Sequence, residues 1–196
     1  MAIDGGLLVS AYASGWFPMA VDGGDIRWFS PDPRGIIPLD RFHVPRRLRR
    51  VCRRGVFRIE VDRDFEGVIR GCAAAERDEN GSGSWISGEI VDSYTALHAR
   101  GLAHSVEAWH DNRLAGGLYG VALGGAFFGE SMFHRETDAS KVALVALVER
   151  LRSRGFLLLD TQWVTPHLEQ FGAIEVSRVE YLSRLEAALA RRCVFA

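Results

Sequence analysis

Two short polar clusters carry the residue types in this chain best suited to chemistry. Gly129-Glu130-Ser131-Met132-Phe133, followed after a short loop by Ser140-Lys141, sets a carboxylate, a hydroxyl and an ammonium at the seam between an apolar strand and a helix. Asp160-Thr161-Gln162 ends the next apolar run, Phe156-Leu157-Leu158-Leu159. Such groups bind, orient and exchange protons, and adjacent strand ends in α/β proteins hold them rigidly enough to do so. Either carboxylate alone is more simply a solvated strand end, or a cap that balances Lys141. Two clusters flanking one helix favour a site.

The elements that must position these groups are legible as patterns. Residues 56–61 alternate as a strand, and Asp64 caps a helix through Val68, Ile69 and Cys72. Residues 76–84, ERDENGSGS, read as a polar loop. Ser87 caps a helix with Ile90, Val91, Tyr94 and Leu97 on one face, ended by Gly101. A three-strand meander follows over 103–109, 114–121 and 125–128, turning at Asp111-Asn112 and Gly124. The helix from Ser140 to Arg152 is apolar almost all round, so it should lie buried on a sheet. After Gly155 come a strand over 156–160, a short helix near His167 and a last helix over 183–192. The first forty residues are rich in Gly, Pro and aromatics, which predicts irregular backbone after an opening helical turn or two. The expected organisation is a small N-terminal lobe, residues 1–40, laid against a main domain, residues 41–196.

Composition sets outer limits. With 196 residues, 47% hydrophobic and 25% charged, the chain can bury one sizeable core. Its net charge of -1 hides an asymmetry: residues 41–54 hold seven arginines and no acid. That run is either a solvated face in an arginine-rich chain or, as favoured here, a patch for phosphates. Lys141, the sole lysine, stands at a helix start, where a cation is disfavoured. The three cysteines are scattered with no CxxC pair, which argues against a disulfide framework and a structural zinc. Without a secretory signal or a membrane-length apolar run, the expected setting is cytoplasmic, and a monomer is the expected state.

A meander followed by strand, helix and strand resembles the acyl-transfer architecture of the GCN5-related N-acetyltransferases, a mixed α/β fold of the α+β type. An acyl-CoA-dependent N-acyltransferase of that fold is one reading. The phosphate loop of those enzymes is poorly matched by Arg113-Leu-Ala-Gly116-Gly-Leu118, which fails at its last position and falls in a hairpin.

A more specific resemblance is spread along the chain. It rests on Tyr12-Ala-Ser-Gly-Trp-Phe-Pro18, Trp28-Phe-Ser-Pro-Asp-Pro-Arg34, Trp85-Ile86 and Leu97-His98. Ala103-His-Ser-Val-Glu-Ala-Trp109, Gly116-Gly-Leu-Tyr-Gly-Val121, Gly129-Glu-Ser-Met-Phe133 and Ala139-Ser-Lys141 continue it. Asp160-Thr-Gln162 and His167-Leu168 with Gly172-Ala173 complete it. In order and with short gaps, these segments resemble the bacterial leucyl/phenylalanyl-tRNA–protein transferases.

That resemblance implies passage of leucine or phenylalanine, and methionine beside them, from a tRNA ester to the α-amine of a protein beginning with Arg or Lys. The ester is already activated, so no nucleophilic serine or cysteine, no metal and no cofactor is expected. By similarity Gln162 would hydrogen-bond the attacking amine, Asp160 would orient and polarise Gln162, and Glu130 would help hold the cationic acceptor in a carboxylate-rich pocket. Phe127, Gly129, Met132, Leu144, Leu147 and Leu159 would line the donor's apolar pocket. Trp85, Met19, Tyr12 and Tyr94 would receive the terminal adenosine. Arg46, Arg47, Arg49 and Arg50 would hold acceptor-stem phosphates without reading sequence. Met19 stands where many members carry tryptophan, and the chain opens close to the Tyr12 segment, which leads to the expectation of a reduced lobe. A non-catalytic tRNA-binding protein is the remaining alternative.

Overall fold

The computed structural model describes residues 2–21, 24–80 and 85–196. Helix α1 (Gly5–Ala13) starts at Asp4, whose carboxylate accepts the Leu7 N–H. A hairpin follows, β1 (Phe17–Ala20) against β2 (Ile26–Phe29), and then β3 (Arg34–Ile37). The sequence points to irregular backbone here. Short strands form instead, because a two-stranded ribbon tolerates Pro18, and Pro31 and Pro33 fall between strands.

The arginine run is helix α2 (Arg46–Arg54), stopped by Gly55 at φ 63°. β4 (Arg58–Val61) leads to α3 (Phe65–Asn80), with the Asp64 carboxylate accepting the Gly67 N–H. The loop expected over 76–84 is therefore helical as far as Asn80, since Glu and Arg after three alanines suit a helix. Its remainder, 81–84, lies outside the described residues. α4 (Gly88–Ala99) precedes the meander of β5 (Ala103–His110), β6 (Arg113–Leu123) and β7 (Ala126–His134). Then come α5 (Ala139–Ser153), β8 (Leu158–Gln162), α6 (Pro166–Glu169), β9 (Ile174–Val176) and α7 (Arg178–Leu189). α7 begins five residues before the expected 183, because Ser177 caps it by accepting the Glu180 N–H.

Seven strands form one mixed sheet in the order β4-β5-β6-β7-β8-β3-β9. Every neighbouring pair is antiparallel except β7 and β8, which α5 connects as a crossover. The all-round apolar surface of α5 is buried on one face of the sheet with α2 beside it, and α1, α3, α4 and α7 cover the other. Alternation along the strands sorts side chains between the layers. Phe127 and Leu159 belong to the α5 core, whereas Phe128 and Leu158 belong to the opposite one. Among the described residues no helix is long and apolar enough to cross a membrane.

Candidate active site

The site exists because two parallel strands part. β7 and β8 pair only at Ala126↔Leu158, Phe127↔Leu159 and Phe128↔Asp160. Beyond that point β7 stays with β6 as far as Gly116↔His134, while β8 stays with β3 up to Gly35↔Gln162. Each strand also carries a bulge just past the parting. Tyr119 pairs with Ser131 and Gly120 with Gly129, so Glu130 is the extra residue on β7. Gly35 pairs with Gln162 and Ile36 with Asp160, so Thr161 is the extra residue on β8. Bulges re-aim side chains next to functional sites. Gly120 makes the first one possible, since a Cβ there would overlap the Phe128 carbonyl oxygen.

A cavity of about 550 Å³ opens through this gap and touches both cores. Leu118, Met132, Leu144, Leu147, Leu159 and Leu168 line it from the α5 side. Phe17, Met19, Trp85, Tyr119 and Phe133 line it from the other. Glu130, Gln162, Trp163 and His167 stand along the wall between them.

Asp160 has no exposed surface and lies behind the lining. Its Oδ1 accepts from Arg34 Nε at 2.9 Å and from the Gln162 backbone N–H at 2.9 Å. Its Oδ2 accepts from Arg34 Nη2 and from the Tyr181 hydroxyl, both at 2.7 Å. Four donors fill a carboxylate's acceptor capacity. Asp160 therefore meets Gln162 through the main chain, and its expected polarisation of the Gln162 side chain is corrected accordingly. Gln162 itself sits at φ 58°, inside a three-residue turn closed by the Trp163 N–H on the Thr161 carbonyl at 2.7 Å. A non-glycine residue there costs about 1–2 kcal/mol, which the surroundings must impose. Gln162 is 6% exposed, and its Nε2 is buried with no partner.

Glu130 is held differently. The Tyr12 hydroxyl donates to its Oε1 at 2.8 Å and the Tyr94 hydroxyl to its Oε2 at 3.3 Å, and the two hydroxyls also touch each other. Burial, reinforced by the charge of Asp160, pushes the carboxyl up to about 8, against the opposing effect of both hydroxyls and of Arg34. Burial likewise raises Tyr12 and Tyr94 well above the usual phenol range. At neutral pH Glu130 is chiefly protonated. Among the described residues it is also the sole acidic member of the lining, which corrects the expectation of a carboxylate-rich pocket.

Of the expected donor-pocket residues, Gly129, Met132, Leu144, Leu147 and Leu159 line the cavity. Phe127 does not: it points into the α5 core, fully buried, and stacks on Phe195 with ring centroids 5.0 Å apart. Trp85 and Met19 line the opposite wall, where the Trp85 carbonyl accepts the Ala20 N–H and ties the hairpin down. Tyr12 and Tyr94, expected beside the adenosine, are a correction: both are fully buried beneath Glu130, so neither offers a ring face to a base. Arg46, Arg47, Arg49 and Arg50 are carried by α2, which is anchored by buried Leu48. Among the described residues none of these four is in an ion pair. The misplaced cation Lys141 is explained locally, 2.9 Å from Asp138, and is not part of the lining.

Several wall residues leave little trace in the sequence. Trp163, 42% exposed, packs edge-on against Phe17 of the hairpin at 5.2 Å. His167 has an unpartnered, buried Nε2, and burial, then the nearby Lys141 and His134, lowers its pKa. Arg34 left one signal: it is the charged residue of an otherwise apolar strand, Arg-Gly-Ile-Ile, that is buried throughout.

The chain matches known proteins along most of its length. Residues 36–186 match the family described as leucyl/phenylalanyl-tRNA protein transferase, and residues 1–32 match its N-terminal domain. Leucyl/phenylalanyl-tRNA–protein transferases from Rubrobacter xylanophilus and Herpetosiphon aurantiacus are 56% and 57% identical, each over 93% of this chain and 93% of their own. That of Akkermansia muciniphila is 54% identical over 93% of this chain and 94% of its own. Among solved structures, L-PGS from Bacillus licheniformis overlaps 82% of this chain and 54% of its own, at 13% identity and a TM-score of 0.44. The chain belongs to the leucyl/phenylalanyl-tRNA–protein transferase family.

Proposed function

We propose that the protein transfers leucine or phenylalanine, and methionine beside them, from aminoacyl-tRNA to the α-amine of proteins that begin with Arg or Lys, marking them for N-degron proteolysis. The observation that carries this reading is the unpartnered Gln162 amide in the wall of a cavity with one apolar and one aromatic side. A buried polar group left without a partner costs about 1–3 kcal/mol, a cost that a bound substrate removes.

The donor side chain lies among Met132, Leu144, Leu147 and Leu159 on the α5 side. Such a pocket separates leucine, phenylalanine and methionine poorly, because one methylene is worth only about 1–3 kcal/mol. The terminal adenosine lies on Trp85 beside Met19, and the acceptor stem on the α2 arginines. The side-chain carbonyl oxygen of Gln162 accepts a hydrogen bond from the incoming neutral amine and leaves its lone pair free to attack the ester carbonyl. The C–N bond forms as the ester C–O bond breaks, and the proton the amine loses leaves on the expelled ribose hydroxyl. Glu130 receives the acceptor's positive charge. A cation beside it favours the ionised carboxylate, so the acceptor's arrival releases the proton that Glu130 otherwise holds. The parted parallel pair in an otherwise antiparallel sheet supports an acetyltransferase-type main domain, residues 41–196. Residues 1–40 are its small N-terminal lobe and lend β3 to its sheet.

The test is transfer of labelled leucine from leucyl-tRNA to a peptide beginning with Arg, beside the same peptide beginning with Ala. Label on the Arg peptide alone is expected. Label on neither, with tRNA still bound, would reject the transferase reading in favour of a binding protein.

A further inference from the structure

We infer that Arg34 is a positioning residue for this transfer, acting through Asp160 to hold the Gln162 amide in the cavity. The inference rests on the transfer reading above and adds a residue to its machinery. Arg34 has no exposed surface, and its guanidinium grips both oxygens of Asp160 at 2.9 and 2.7 Å. The remaining arm, Nη1, donates to the Gly15 carbonyl at 3.0 Å. The guanidinium also lies against two rings, Tyr181 at 4.6 Å and Phe17 at 4.9 Å. One side chain thus connects the turn after α1, the Phe17 wall of the cavity, α7 and the end of β8.

What this grip fixes is the conformation of Gln162. Asp160 reaches Gln162 through the backbone N–H at 2.9 Å, in the turn where Gln162 takes its φ of 58°. Arg34 also precedes Gly35, which pairs with Gln162 so closely that a Cβ on Gly35 would meet the Trp163 carbonyl carbon at 2.5 Å. A carboxylate free to rotate would release the Gln162 N–H and let the turn relax. The bidentate fork and the Tyr181 hydroxyl deny it that rotation. Lysine offers a point charge and no fork, so it keeps the ion pair and loses the orientation.

Arg34→Lys keeps a buried cation against Asp160, so it isolates geometry from charge. Its kcat for leucine transfer should fall by about 10²-fold, the scale of a displaced positioning group. The KM for the Arg peptide and the Kd for tRNA should stay within about twofold, as for an interaction that matters only in the transition state. Val106→Ala on β5, which carries no site residue, is the control for stability alone and should keep its kcat at a matched loss of Tm. Should Arg34→Lys fail to fold, Tyr181→Phe removes one bond to Asp160 and should lower kcat by about tenfold. The inference is overturned if the Lys variant keeps kcat within about threefold of wild type, or if kcat follows Tm in Val106→Ala as well. It is equally overturned if KM rises while kcat holds. Wild-type protein that transfers nothing would reject the transferase reading itself, an outcome distinct from active wild type beside an equally active variant.

Discussion

Two carboxylates flank one gap in the sheet, on neighbouring parallel strands, and their surroundings give them opposite characters. Asp160 on β8 is enclosed by a guanidinium fork, a tyrosine hydroxyl and a backbone N–H, and these four bonds fix its orientation. Glu130 on β7 meets two tyrosine hydroxyls and, among the described residues, no cation within ion-pair distance, and burial holds it protonated up to about 8. One is an anchor that never needs to change. The other has a charge that the acceptor can call up.

Breaking the anchor should have the largest effect. Asp160→Ala strands the Arg34 guanidinium without its partner and should cost about 3–5 kcal/mol of stability, read by denaturant unfolding. Glu130→Gln at pH 6 should cost little, because the wild-type side chain is already neutral there. Equal losses from the two would collapse the distinction. Gln162→Ala should lower transfer by about 10²–10³-fold, as for loss of a transition-state hydrogen bond, while tRNA binding persists. Residual transfer near the wild-type rate would remove Gln162 from the chemistry.

The titrating side of the comparison sharpens with pH. The folded-state pKa of Glu130 is raised, so the stability it contributes is complete below the ordinary carboxylate value and is lost as pH rises through about 8. Glu130→Gln should therefore gain on wild type in Tm between pH 5 and pH 9. Acceptor KM should be alike in the two at pH 6 and differ by about tenfold at pH 8.5, where wild type offers a charged partner. A constant ratio across that range would contradict the switch. The smallest change is expected far from both carboxylates. Replacing Arg46, Arg47, Arg49 and Arg50 by Ala should flatten the salt dependence of tRNA binding by about 0.7–0.9 for each phosphate left without its arginine.

Much of this molecule is legible in the chain because its signals are local. The buried periodicity of α5, the Ser87 cap and the meander turns each fall within a few residues, and the family segments mark both polar clusters. What sequence does not display is pairing at a distance. The strand expected to stop at Phe128 runs on to His134, because β6 continues to pair with it across a bulge that is defined only by its partner. Arg34 and Asp160 are 126 residues apart, so their fork is invisible to any window. The family resemblance leads to the expectation of Tyr12 and Tyr94 beside a nucleotide, yet both are buried beneath Glu130 and hydrogen-bond its carboxyl group. The start of α7 is different: its Ser177-x-x-Glu180 signature is there to be read.

The measurement that bears most directly on this account is a carboxyl-carbon NMR titration of glutamate-labelled protein, with Glu130 assigned by its loss in Glu130→Gln. The expected curve has a midpoint near 8 in the free protein and moves to lower pH when a peptide beginning with Arg is added. A midpoint in the ordinary range of about 4 to 5, unmoved by the peptide, would contradict the account.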